Sequence, residues 1–200
     1  APGGLWLDAV SVGFGLAAGS VAGIGLRRRE LALQRANLAR YVAPALADRL
    51  AREATPDFDR REQQAAVLFV DVQGFSALSE RAATGATAAF LSALHARFED
   101  VASRFGGVVT DYSGDGAMVV FGLPDPLPDD AARALDCAQA LLAEAPALAS
   151  DAPWSEPPRL RVSVHAGPVT AAILGGRRQG VVTVTGDTVN VASRLQETAK

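Results

Sequence analysis

The sequence predicts an α/β protein, a sandwich of helices on a largely antiparallel sheet, with one membrane-spanning helix ahead of it. Three observations predict this. From about residue 65 onward, short β-branched runs alternate with amphipathic stretches, the pattern of helices packed on a sheet. Two of those runs, Val108–Tyr112 and Ala117–Phe121, are joined by the tight polar connection Ser113-Gly114-Asp115-Gly116, a hairpin signal. Near the start, Ala9 to Leu26 is an uncharged run of 18 residues, long enough to cross the hydrocarbon of a bilayer.

Composition bounds the rest. A chain with 49% hydrophobic and 20% charged residues can bury a full core. The net charge of −3 gives no global basic field, so nucleic acid is not an expected partner. Cys137 is the only cysteine, which excludes an internal disulfide and a cysteine-based zinc site; its place on a helical stretch makes it a core residue. The chain begins at Ala1 and stops at Lys200 within a helical pattern, and both ends read as cuts through a longer protein.

Taken in order, residues 5–26 are expected to form the membrane helix. Trp6 suits an interfacial anchor, Asp8 lies at the outer boundary, and Arg27-Arg28-Arg29 sets the C-terminal side in the cytoplasm. Gly15, Gly19 and Gly23 fall along one face, where two such helices can approach closely. Residues 27–64 are a connector. A polar helical stretch with Leu31, Leu38 and Tyr41 is broken at Pro44, and Thr55 to Gln64 reads as a charged linker.

The domain proper spans 65–200. Ala65 to Val72 is a buried-strand pattern, and Gln73-Gly74-Phe75-Ser76 turns into a helix. Thr87 to Phe105 places Phe90, Leu91, Leu94, Phe98, Val101 and Phe105 on one helical face. Asp129 is expected to cap a helix from Asp130 to Ala145. Pro146 to Pro158 is a proline-rich loop, and Arg159 to Ala166 alternates as a half-buried strand. Ala171 to Leu174 suggests a short helical turn, Gly175 to Gly180 a basic loop, Val181 to Thr185 a strand, and Thr188 to Ala199 a final helix. His165 is expected to pack beside Gly167, and His95 to be solvated on a polar helix face.

The chemistry starts from two carboxylates. Asp71 ends a strand just before a helix start, and Asp115 sits at a hairpin tip. Strand and hairpin side by side would bring them together, and paired carboxylates repel unless a cation lies between them. Hard divalent ions prefer such an oxygen-rich site, with substrate phosphates completing the shell. The helix opening at Gly74, Phe75 and Ser76 offers free backbone N–H groups, a seat for phosphate.

Four segments then carry a resemblance: Phe69-Val-Asp-Val-Gln-Gly-Phe-Ser76, Gly114-Asp-Gly-Ala-Met-Val-Val-Phe-Gly122, Val164-His-Ala-Gly-Pro-Val169 and Gly186-Asp-Thr-Val-Asn-Val-Ala-Ser-Arg194. In order and spacing they resemble the class III purine nucleotide cyclases over residues 65–200. The resemblance implies a ferredoxin-like βαββαβ core and a homodimer with two shared active sites. It implies two divalent metal ions, Mg²⁺ or Mn²⁺, on Asp71, Asp115 and the Val72 carbonyl of one subunit. From the other subunit, Asn190 would fix the ribose and Arg194 would stabilise charge on the α-phosphate. The product would be a 3′,5′-cyclic nucleotide plus pyrophosphate, made as an intracellular signal at the inner or plasma membrane of a bacterium.

Two departures from the family pattern matter. The positions that read the base align with Asp111 and Thr183. Adenylate cyclases usually place a lysine at the first, donating to adenine N1; a carboxylate can only accept. ATP is the expected substrate only because adenylate cyclases are the more frequent members of the family. GTP is the alternative, because guanine presents donors at N1 and N2 that Asp111 could meet and an O6 acceptor that Thr183 could meet. A cyclase-like module that binds nucleotide or dimerises with little turnover is the other alternative. The family's triphosphate-binding lysine would fall beyond Lys200.

Overall fold

The computed structural model describes residues 61–176 and 179–199. The expected membrane helix and nearly all of the connector lie outside these residues. Among the described residues no helix is long and apolar enough to cross a membrane.

Five strands form one sheet in the order β2-β3-β1-β4-β5, every neighbouring pair antiparallel. They are β1 (Arg61–Val72), β2 (Val108–Ser113), β3 (Gly116–Phe121), β4 (Leu160–Gly176) and β5 (Gln179–Thr185). The helices among the described residues are α1 (Phe75–Ser79), α2 (Thr84–Arg104), α3 (Asp130–Glu144) and α4 (Asp187–Thr198), with a 3-10 turn at Ala145–Ser150. Strands β1 to β4 with their crossover helices α2 and α3 reproduce the expected βαββαβ core, and β5 extends it beyond β4.

The two faces of the sheet do different work. Ala66, Leu68, Val70 and Val72 of β1 alternate toward α2 and α3, where Phe90, Leu94, Phe98 and Val101 meet Ala134, Cys137 and Leu141 in one buried cluster. That burial pushes the Cys137 thiol up to about 11, so it is a core group and not a nucleophile. On the other face α4 packs over β4. Thr188 and Ala192 are buried, the Thr188 hydroxyl donates to the Pro168 carbonyl at 2.6 Å, and Ser163 donates to the Ala192 carbonyl at 2.7 Å. The sheet also curls, so that β2 and β5, at opposite ends of the strand order, approach each other.

Several expectations are corrected. β1 begins at Arg61 and not at Ala65, because β4 is long enough to pair Arg61–Gln64 with Pro168–Ala171. The charged stretch read as linker is therefore partly strand, with Gln63 turned inward to donate to the Gly122 carbonyl at 2.6 Å. Ala171 to Leu174 is not a helical turn but the continuation of β4, paired with Val181 to Val184. The expected basic loop narrows to a hairpin end, with Gly175 opposite Gly180 and Gly176 opposite Gln179. In both places ladder partners distant in sequence override local preference. Asp129 stands at the N-cap of α3 but makes no capping bond, while Asp130, the first helical residue, accepts from the N–H of Leu127 ahead of the helix at 2.7 Å. The loop from Pro146 opens as the 3-10 turn.

Candidate active site

The β2–β3 hairpin is tighter than the sequence suggests. Ser113 already pairs with Gly116, so only Gly114 and Asp115 form the turn. Gly114 takes φ +59°, a left-handed conformation that favours glycine. Gly116 is needed for a different reason, close approach. A Cβ there would lie 3.1 Å from the Val70 carbonyl oxygen and 3.4 Å from Asp71 Cβ. The missing side chain lets the turn press against the end of β1.

That contact brings the two expected carboxylates into one site. Asp115 Oδ2 accepts from the Val72 N–H at 3.0 Å. Val72 thus enters through its amide. Burial pushes the Asp115 carboxyl above the ordinary carboxylate range and the Asp71 charge adds to this, while its own backbone N–H, that of Val72 and the Arg161 charge pull it down.

Arg161, which the sequence did not single out, completes the cluster. It lies directly opposite Asp71 in the β1–β4 register. Its Nε donates to Asp71 Oδ1 at 2.8 Å and an Nη donates to Oδ2 at 2.6 Å, a two-point fork of the kind arginine favours. That bond, with the charges of Asp71 and Asp115, holds the guanidinium above its usual pKa. Its signal in the sequence was one charge within the alternating strand Leu160–Ala166, ninety residues from Asp71, and only the register connects them.

A second unexpected residue braces the turn from behind. His95 on α2 is not merely solvated: its ring Nε2 donates to the Gly114 carbonyl at 2.9 Å and the ring stacks on Tyr112 with centroids 4.4 Å apart. Burial, helped by the Glu99 charge, pushes the Tyr112 hydroxyl up to about 12.

The helix start expected to seat phosphate lies just past β1. Gly74 caps the short helix α1 at φ +73°, and the Phe75 ring turns inward onto Phe90 and Trp154. The first N–H groups of α1 have no partner within the helix, and Ser76 is exposed beside them. An open cleft of about 560 Å³ lies against α1, lined in part by Gln73, Gly74, Arg81, Glu156 and Arg159.

Asn190 and Arg194 are exposed, one turn apart on α4, whereas Thr188 and Ala192 face the sheet. The helix therefore presents them away from the sheet it packs on. Asp111 is exposed on β2 opposite Met118, which is opposite Phe69, so Asp111 shares the Asp71 face of the sheet. Thr183 is half-buried on β5, opposite Ala172. The curl of the sheet brings these two strands near each other.

The donor set suits a hard divalent cation: two carboxylates at one strand end, with a guanidinium standing where positive charge is required. Among the described residues no third acidic, histidine or cysteine side chain joins them. Any remaining ligands would come from backbone, water or substrate.

Residues 59–200 match the family model described as the adenylate and guanylate cyclase catalytic domain. An adenylate cyclase of Mycobacterium tuberculosis (strain ATCC 25618 / H37Rv) is 34% identical over 161 residues, covering 80% of this chain and 36% of that protein. The chain spans about a third of the length of the curated relatives it matches. Among solved structures, the catalytic core of a rhodopsin-guanylyl cyclase with converted specificity, in complex with ATPalphaS, is 31% identical with a TM-score of 0.66. That match covers 71% of this chain and 76% of the other. The adenylyl cyclase CyaB from P. aeruginosa is 26% identical with a TM-score of 0.68, over 71% of this chain and 75% of that one.

Proposed function

We propose a function from one premise: the chain belongs to the adenylate and guanylate cyclase catalytic-domain family. It is the catalytic part of a membrane-anchored adenylate cyclase that converts ATP to 3′,5′-cyclic AMP and pyrophosphate. One observation carries this reading. The turn holding Asp115 is pressed onto the end of β1 beside Asp71, with Gly116 lacking the side chain that would keep them apart.

Asp71 and Asp115 would hold two divalent metal ions, Mg²⁺ or Mn²⁺. Bound there, the ions would lower the pKa of the ribose 3′-hydroxyl and offset charge on the triphosphate. The chain's own residues do the rest. The N–H groups at Gly74, Phe75 and Ser76 receive phosphate oxygens at the positive end of α1. Asn190 holds the ribose so that its hydroxyl lies in line with the α-phosphate, an orienting role. Arg194 places a guanidinium where the α-phosphate gains charge, a contribution of roughly 2–4 kcal/mol to the barrier.

Because Asn190 and Arg194 point away from their own sheet, they are supplied to the site of a second copy, making the enzyme a homodimer with two shared sites. The uncharged run Ala9–Leu26 followed by Arg27-Arg28-Arg29 anchors the protein in the inner or plasma membrane, with this domain on the cytoplasmic side.

A second reading is favoured by one residue. Asp111 can accept from guanine N1 and N2 but repels adenine N1 when ionised, so GTP is the competing substrate. Thr183 can accept from the adenine N6 amine or donate to guanine O6, so it does not separate the two, and ATP stays first on the frequency of adenylate cyclases in the family. The test gives the intact protein ATP or GTP with Mg²⁺ or Mn²⁺ and measures cyclic product. Cyclic AMP as the main product is expected; cyclic GMP alone would transfer the assignment to GTP. No product from either would leave a nucleotide-binding or dimerisation module.

A further inference from the structure

We propose that Arg161 is the resident counter-ion of the Asp71–Asp115 pair, holding the metal-free site together and releasing Asp71 when a divalent cation binds. The inference rests on Asp71 and Asp115 being metal ligands. It adds that metal affinity is set by competition with a cation the sheet itself supplies.

The geometry is built into the fold. Arg161 and Asp71 are direct cross-strand partners, so the antiparallel register fixes their separation before any side chain moves. The guanidinium occupies both oxygens of Asp71. Asp115 stands close enough for its charge to act on the same guanidinium, so one arginine serves two carboxylates. Without it, the Gly116 approach would force two like charges together with only backbone N–H groups on Asp115 in compensation.

The same arrangement obstructs a metal. A divalent ion at ligand distance from either Asp71 oxygen would be a near neighbour of the guanidinium donating to that oxygen, and the two cations repel. Arg161 has room to leave, since its side chain is 29% exposed and that of Asp71 20%. Metal binding is therefore an exchange of one cation for another, and the freed guanidinium swings toward solvent on its long stem.

The test is Mn²⁺ binding to the intact protein without nucleotide, followed by the electron paramagnetic resonance of free Mn²⁺, together with the metal-free melting temperature. Arg161→Gln should bind Mn²⁺ about tenfold more tightly than wild type, because the competing cation is gone. It should also melt lower without metal and gain more from added Mn²⁺. Arg161→Lys, able to meet only one oxygen, should lie between the two, and it carries the test if the Gln variant does not fold. Asp71→Asn should abolish the binding in every background. If Arg161→Gln, or Arg161→Lys in its place, binds Mn²⁺ no more tightly than wild type while Asp71→Asn removes the binding, the counter-ion proposal is overturned and the metal site stands. Mn²⁺ binding that Asp71→Asn leaves intact overturns both.

Discussion

Asp115 is held where its charge is costly: in a turn pressed on β1, beside a second carboxylate, with one N–H from Val72 and a shared arginine as partial relief. Its folded-state pKa is raised above the ordinary Asp value, so the folded chain prefers the protonated form. The stability cost is absent below the ordinary Asp range. It grows as pH rises from there through the raised folded-state value, and it is complete above it. Asp115→Asn should therefore melt higher than wild type at neutral pH without metal, and the gap should close on acidification through that window. The same variant should lose cyclase activity. A melting difference that is independent of pH would show that the ionised carboxylate is not strained. A carboxylate destabilised in this way is what the proposed metal site would require.

At the scale of the element, the hairpin works because three parts agree. Gly114 makes the turn, Gly116 allows the approach, and His95 from α2 fixes the Gly114 carbonyl from behind. Gly116→Ala leaves the backbone conformation allowed but sets a methyl group 3.1 Å from the Val70 oxygen, so the turn must back away by a few tenths of an ångström. Metal-dependent activity should fall several-fold while the far-UV circular dichroism is unchanged; full activity would show that the close approach is not needed. The carboxylates, the turn and the helix start were legible in the sequence because each sits within a short local pattern. Arg161 and His95 were not, because their partners lie in other elements. Asp71 is fixed by the register of β4 on β1, and Gly114 by where α2 crosses the hairpin. The extension of β4 through Ala171–Leu174 escaped for the same reason: strand pairing decided what local composition left open.

At the scale of the whole molecule, the described domain carries on two separate surfaces the two groups of residues that the proposed chemistry would use. Asp71, Asp115 and Arg161 form one cluster at the end of β1, and Asn190 and Arg194 form another on the outward side of α4. The α/β sandwich was readable from the order of strands and helices and the βαββαβ core from the resemblance, while the facing of α4 was settled by Thr188 and Ala192 packing on β4. A chain that carries both halves but turns one outward is suited to completing its site with a second copy. The most direct measurement mixes two variants, Asp71→Ala and Arg194→Ala, each expected to lose at least about 100-fold in activity alone. In a shared-site dimer, the mixed species contains one site with neither defect and one with both. Mixing should therefore restore cyclic nucleotide synthesis to an appreciable fraction of wild type. Activity that stays at the level of the separate variants, with mixed dimers confirmed to form, would contradict the account.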